Sequence, residues 1–367
     1  MTVILFIVVL AVLVFAHELG HFLAAKQCGV RVSEFGIGFP PRLYAWKPAA
    51  SETTYSINWI PFGGFVKLFK EDEDTGALPR EEFEKTLDAR PWWQRLWVLF
   101  AGVFFNVLLA WGLLSIGLFI GLPMSVDEDT RGVVGEPSVV AIHVEENTPA
   151  YEAGFIPGDV VLAVVDEEGE QSGSSIEDVQ AFIAAHEGKE LSFTVQRKDV
   201  EETLVAMPVA RELDGETRAV VGIALDTVAV VRLPVWDALV TGGKTTLFAL
   251  KAVAIGLGEF LFQAVTGRAD FSQVAGPVGI AGLTGDAARL GLAALLSFAA
   301  MLSLNLAIIN LVPFPALDGG RILFTFIEVV KGSPIRPSIA NTMNFIGFAL
   351  LILLMIAVTI HDILKLL

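Results

Sequence analysis

The stretch FAHELGHFLAAK, Phe15–Lys26, places two histidines and a glutamate in a segment that is otherwise apolar from the first residue onward. Ionisable side chains at membrane depth cost roughly 2.5–3.5 kcal/mol each on insertion scales, so they need a reason to be there. The spacing His17-Glu18-x-x-His21 puts both imidazoles on one face of a helix, where they can share one zinc ion. Glu18 projects near the same point and can accept a proton from water. The stretch therefore predicts a zinc site inside a membrane helix; histidines satisfied within a helix bundle are the alternative.

The composition is that of a membrane protein. Of the 367 residues, 54% are hydrophobic and only 18% are charged, which is too apolar for a soluble globular chain. The net charge of -16 argues against nucleic-acid binding. The single cysteine, Cys28, excludes an intrachain disulfide.

Four apolar segments are long enough to cross about 30 Å of hydrocarbon as helices. They run approximately over Met1–Ala25, Leu96–Leu122, Leu290–Val312 and Met343–Leu364. No Lys or Arg precedes the first segment, and the first basic residue, Lys26, follows it. We therefore expect a retained helix and not a cleaved signal peptide.

The basic residues predict the orientation. Lys and Arg are frequent between Lys26 and Arg95, and they recur between the last two apolar segments at Arg321, Lys331 and Arg336. The positive-inside rule puts both loops in the cytoplasm. The N-terminus and the region from Pro123 to Leu290 then lie on the other side, and the two histidines lie toward the cytoplasmic end of the first span.

The region 126–228 reads as a compact α+β domain with alternating strands and two short helices. Its stretch TPAYEAGFIPGDVVLAV, Thr148–Val164, resembles the PDZ domains that are attached to bacterial proteases. Such domains bind extended peptides or C-termini by adding a strand to a sheet edge. A spacer domain that binds nothing is the alternative.

The region 229–289 is apolar, but glycines and the charged residues Lys244, Lys251 and Glu259 interrupt it. We expect an amphipathic helix that lies on the membrane surface and does not form a fifth crossing. The same region contains GPVGIAG, Gly276–Gly282, for which the sequence alone offers no mechanism.

A third zinc ligand is available in NLVPFPALDGGRI, Asn310–Ile322. Asp318 is the carboxylate near that helix end, and two prolines break the helix there. Gly319 and Gly320 allow close approach to another helix. Asp318 could instead cap the helix that follows, since Asp is a favoured N-cap residue.

Together, H-E-x-x-H, N-x-x-P-x-x-x-L-D-G and a PDZ-like insert resemble the site-2 protease family, in particular its bacterial regulator-of-sigma-factor type. The resemblance covers essentially the whole chain. It implies that His17, His21 and Asp318 ligate Zn²⁺ and that Glu18 is the general base. It also implies that Asn310 helps to hold substrate or the developing oxyanion; alternatively, this asparagine bonds to carbonyls freed near the prolines.

The resemblance extends to TTYSINWIPFGGFVKL, Thr53–Leu68. In the family this region is a β-hairpin that dips into the membrane and pairs with an unwound substrate, which implies substrate contacts for Gly63 and Gly64. An ordinary cytoplasmic hairpin is the alternative. Asn106 in AGVFFN is a further substrate-binding candidate, although Val103 stands where relatives frequently have proline.

The predicted fold class is a multi-span α-helical membrane protein with about four transmembrane helices, an inserted α+β PDZ-like domain and a membrane-associated β-hairpin. We expect two halves of a membrane core, 1–125 and 290–367, which enclose the PDZ-like domain 126–228 and the surface helix region 229–289.

The predicted function is zinc-dependent intramembrane peptide hydrolysis in the bacterial cytoplasmic membrane, with the active site toward the cytoplasm and the PDZ-like domain outside. The expected substrates are single-pass membrane proteins such as anti-sigma factors or signal-peptide remnants; a peptide or C-terminus and the lipid bilayer are the other expected partners. The alternatives are a non-catalytic PDZ scaffold and a transporter. A transporter predicts internal repeats, and the sequence shows none.

Overall fold

The fold is taken from a computed structural model. It describes residues 2–49, 51–70, 78–127, 130–145, 147–166, 168–169, 171–172, 175–197, 200–213, 216–268, 274–333 and 335–365. The chain divides into two compact units, one formed by Met1–Gly117 with Val235–Leu367 and the other by Leu118–Pro234.

The helices are α1 (Thr2–Gln27), α2 (Arg80–Phe83), α3 (Trp92–Ile120), α4 (Pro149–Ala153), α5 (Ile176–Ala185), α6 (Val235–Val265), α7 (Pro277–Arg289), α8 (Leu292–Leu311), α9 (Asp318–Lys331) and α10 (Pro337–Lys365). The strands are β1 (Val32–Trp46), β2 (Thr54–Leu68), β3 (Leu122–Ser125), β4 (Val133–Val144), β5 (Val160–Val165), β6 (Gln171–Ser172), β7 (Leu191–Arg197), β8 (Val200–Ala206), β9 (Val209–Leu213), β10 (Glu216–Val220) and β11 (Ile223–Val231).

Among the described residues, five helices are long and apolar enough to cross a membrane: α1, α3, α6, α8 and most of α10. Four of them match the predicted segments. The fifth is α6, so the expected number of such helices is corrected from four to five. The glycines of α6 do not interrupt it. One of them, Gly242, lies in close contact with α3, since a Cβ there would come within 2.4 Å of Ser115 Oγ. Length and composition alone do not decide whether α6 crosses.

Helices α1 and α3 pack in opposite directions. Leu13 lies in one apolar cluster with Leu109 and Leu113. Further along α1, a Cβ on Gly20 would lie 2.3 Å from the carbonyl oxygen of Ala101, so the two backbones touch there. The start of α1 is therefore beside the end of α3.

The GPVGIAG motif begins α7 and binds the end of α10. The Asp362 carboxylate accepts hydrogen bonds from the backbone N–H groups of Gly276, at 3.1 Å, and Gly279, at 2.8 Å. A Cβ on Gly276 would lie 2.6 Å from that carboxylate, so glycine is needed for the approach. At the other end of α7, Gly285 lies against Thr2. Helix α7 thus joins the end of α10 to the start of α1.

Strands β1 and β2 are long and bent, and they pair antiparallel in two places. Residues 34–37 of β1 pair with the end of β2 on one side and with its beginning on the other. The resulting small sheet contacts α1, where Gly64 lies against Val14 and Glu18. Its depth relative to a membrane stays a prediction.

The second unit contains a seven-stranded sheet in the order β3-β11-β4-β5-β7-β8, with β6 paired to β5. Its core is apolar and includes the fully buried side chains of Val164, Val179, Leu191 and Phe193. The predicted α+β domain 126–228 lies inside this unit, and its identity as a PDZ-like domain stays a prediction.

Candidate metal centre

The three predicted ligands meet at one point, although Asp318 is 297 residues from His21 in the chain. Asp318 Oδ2 lies 3.1 Å from Nε2 of His17 and 3.1 Å from Nε2 of His21. The two Nε2 atoms are 3.2 Å apart. Tetrahedral zinc with bonds of about 2.0–2.1 Å needs ligand atoms roughly 3.3 Å apart. These side chains therefore have the spacing of a zinc site.

Helix α3 fixes how each imidazole presents its nitrogens. His21 Nδ1 lies 2.8 Å from the carbonyl oxygen of Val98, to which it donates, so Nε2 keeps its lone pair. The Asn106 amide lies 3.1 Å from His17 Nδ1, and its Oδ1 atom is buried without a hydrogen-bond partner. Turning this amide over lets Oδ1 accept the proton of His17 Nδ1. Both rings then direct an unprotonated Nε2 at the same point, which fits a metal ion.

A glycine of α3 makes room for the site. A Cβ on Gly102 would lie 2.4 Å from His21 Nε2 and 2.8 Å from His17 Cε1. Sequence reasoning missed both Gly102 and the Val98 carbonyl. A glycine among large apolar residues of a span was a usable signal of close approach, whereas a backbone carbonyl leaves no trace in the sequence.

The loop between α8 and α9 brings Asp318 to the histidines. The N-cap position of α9 is Leu317, and Asp318 is the first helical residue, so the alternative role as N-cap is not the observed one. A Cβ on Gly319 would lie 2.2 Å from the Val312 carbonyl oxygen, so the tight fold of this loop requires glycine there.

Glu18 lies between the metal ligands and the small sheet. Its carboxylate accepts a hydrogen bond from the backbone N–H of Val66 in β2. Gly64 allows the strand to come this close, since a Cβ there would be 3.3 Å from Glu18 Cγ. The predicted general base is therefore next to a strand of the hairpin.

The remaining candidates have local explanations in the structure. Asn310 donates from Nδ2 to the Leu306 carbonyl oxygen at 3.0 Å, one turn back in its own helix and not near the prolines. Gly63 has φ of 98° and lies against the Phe39 ring. Asn106 is fully buried against His17. Substrate contacts of these residues and of Gly64 stay predictions.

Comparison with known proteins agrees with this geometry. The model of peptidase family M50 matches residues 5–354. The chain is 32% identical to the zinc metalloprotease RasP of Geobacillus kaustophilus, over 99% of this chain and 98% of the relative. It is 30% identical to RasP of Oceanobacillus iheyensis, over 100% of this chain and 99% of the relative. It is also 30% identical to the regulator of sigma-W protease RasP of Bacillus subtilis, over 100% of this chain and 99% of the relative.

The matches span nearly the full length of each relative, and the family match covers α1, α3 and the segment that carries Asp318. The long apolar helices fit a multi-pass membrane protein. Zinc peptidases of this family hydrolyse peptide bonds with the bound Zn²⁺. The chain therefore belongs to peptidase family M50, the site-2 protease family, and is a zinc metalloendopeptidase.

Proposed function

We propose that the chain hydrolyses peptide bonds within or near transmembrane helices, with His17, His21 and Asp318 as zinc ligands and Glu18 as general base. The proposal is carried by the convergence of these ligand atoms beside Glu18, with both histidines and Glu18 on a helix of membrane-spanning length. Bound zinc would act as a Lewis acid and lower the pKa of water toward about 7.

The chain's own residues supply the proton transfer. Glu18 takes a proton from the attacking water and delivers it to the leaving amine. The Val66 N–H orients its carboxylate. Val98 and Asn106 hold the two imidazoles, so their Nε2 atoms do not turn away during the reaction.

The substrate would be bound as an extended strand beside the hairpin. A transmembrane helix hides its carbonyl groups, so it must unwind before hydrolysis, and an unwound strand needs backbone partners in lipid. Support comes from the apolar surface of the hairpin, which exposes Phe39, Leu43, Tyr44, Trp46, Trp59 and Ile60. Such a surface is expected in lipid and is unfavourable for the alternative, a hairpin in the cytoplasm.

The substrates would be single-pass membrane proteins, such as anti-sigma factors or signal-peptide remnants. Support comes from the name of the Bacillus subtilis relative, a regulator of sigma-W protease. The location would be the bacterial cytoplasmic membrane, with the metal site toward the cytoplasm, as the basic loops indicate.

The domain within Leu118–Pro234 would be PDZ-like and would act as a docking site or size filter on the outer side. Strand β11 pairs with β3 only through Val228–Val231, whereas its pairing with β4 begins at Ile223. No described strand pairs with the other edge of residues 223–226, and α5 contacts β11. A peptide added to this edge beside α5 would bind in the PDZ manner.

Helix α6 would lie on the outer membrane surface, within the region 229–289 that connects the PDZ-like domain to the core half 290–367. Its first turns contact α3 near the end of α3: Trp111 donates to the Leu239 carbonyl oxygen. Helix α7 lies beside Thr2, at the same end of the α1–α3 pair. Since α6 ends at Val265 and α7 begins at Pro277, a crossing by α6 would require the short connection between them to return across about 30 Å of hydrocarbon.

The experiment is cleavage of a tagged single-span substrate in liposomes by the wild type and by Glu18→Gln, with zinc content measured on both. We expect cleavage by the wild type and its loss in a variant that keeps its zinc. If both proteins hold zinc and neither cuts any of several substrate helices, the non-catalytic scaffold replaces this proposal.

A further inference from the structure

An ion pair joins the far end of α9 to the start of α3. Arg95 Nη2 lies 2.7 Å from Glu328 Oε2, and the two side chains are only 20% and 15% exposed. Glu328 Oε1 also accepts a hydrogen bond from the backbone N–H of Ile335 at 2.8 Å. Glu328 therefore holds both the start of α3 and the chain that follows α9.

Arg95 lies on the face of α3 that contacts the metal ligands. Arg95, Val98, Gly102 and Asn106 follow one another at intervals of three or four residues, which places them in one stripe of the helix. The last three each contact or closely approach a ligand histidine. The axial distance from Arg95 to Gly102 is about 10 Å at 1.5 Å per residue.

Helix α9 carries the third ligand at one end and the ion pair toward the other. It starts at Asp318, and Glu328 follows about 15 Å along its axis. Much of the surface between them is exposed, including Leu323, Phe326 and Ile327. A short helix held at only one end can swing or turn about its axis, and this would move the Asp318 carboxylate away from the histidines.

We propose that the Arg95–Glu328 ion pair is a positioning contact that sets Asp318 against His17 and His21. This inference rests on the metal site proposed above. The pair joins the helix that carries the third ligand to the helix that holds the other two. Losing it leaves every ligand in the chain but loosens their arrangement, so the affinity for zinc falls.

The experiment measures zinc affinity by chelator competition on the purified full-length protein in lipid nanodiscs. Arg95→Glu and Glu328→Arg each place like charges together, and we expect each to lower the affinity about tenfold or more. The double variant restores opposite charges in the reversed order and should recover most of that loss. The matched control is Glu84→Gln, which removes the exposed ion pair with Arg80 and should change nothing.

Asp318→Asn, measured in parallel, separates the two proposals. If it binds zinc as the wild type does, the metal site itself is wrong. If it loses zinc while both single variants keep it, the positioning role is overturned and the metal site stands. Loss in the single variants without recovery in the double variant also overturns the role, because it indicates general damage to folding.

Discussion

At the scale of single residues, the candidate metal site depends on Gly102 having no side chain. This glycine of α3 faces both ligand histidines at a distance that leaves no room for one methyl group. Helix packing in membranes favours small residues where backbones approach closely. Here the small residue makes room for the two candidate ligand histidines.

Gly102→Ala is expected to lower the affinity for zinc by at least about tenfold, because the new Cβ would displace His21. Zinc content after dialysis against a weak chelator measures this. The control is Gly112→Ala on the same helix, where a Cβ meets nothing within 4 Å. Retention of zinc by Gly102→Ala would show that the histidines can shift without loss of the site.

Asn106→Ala is expected to lower the affinity for zinc about 10–100-fold, because His17 loses the partner of its Nδ1 atom. Chelator competition measures the change. Asn305→Ala is the matched control, since this exposed asparagine on α8 bonds only to the Met301 carbonyl oxygen of its own helix among the contacts described. An unchanged affinity with a raised KM would favour the predicted substrate contact instead.

At the scale of elements, one buried carboxylate connects the loop before β5 to strand β7. Asp159 is completely buried, and both of its oxygens bind Arg197 at 2.8 Å. Arg197 also donates to the Gly154 carbonyl oxygen, and Asp159 accepts the N–H of Ile156. Asp159, which follows Gly158 in the stretch Thr148–Val164, thus has a structural role.

Arg197→Gln is expected to destabilise this domain by about 3–5 kcal/mol, because it leaves a buried charge without its partner. Hydrogen exchange of the β5 and β7 amides in the full-length protein measures the effect. Arg211→Gln, which removes the exposed pair with Glu145, is the control and should leave exchange unchanged. Equal exchange in both variants would contradict the structural role of Asp159.

At the scale of the whole molecule, the connectivity limits which helices can cross. The start of α1, the end of α3 and helix α7 share one end of the first unit, and α8 leaves from there. We therefore predict four crossings, by α1, α3, α8 and α10, and none by α6.

A single cysteine at Val265, in a Cys28→Ser background, should react with a membrane-impermeant maleimide added outside intact cells. A cysteine at Val235 should react as well, whereas one at Trp92, at the start of α3, should not. If the cysteine at Val265 is protected while the one at Val235 reacts, α6 crosses and the connection to α7 returns through the membrane.

The sequence by itself determined the candidate metal ligands, the candidate base and four of the five long apolar helices, because H-E-x-x-H, L-D-G and hydropathy are local patterns with few other uses. It did not reveal Gly102, the Val98 carbonyl or the Arg95–Glu328 pair. These depend on which face of α3 meets α1 and α9, and only the tertiary structure decides that. From the sequence we also predicted that α6 lies on the membrane surface. Its length and apolar content are those of a span, and its position depends on where its neighbours begin and end.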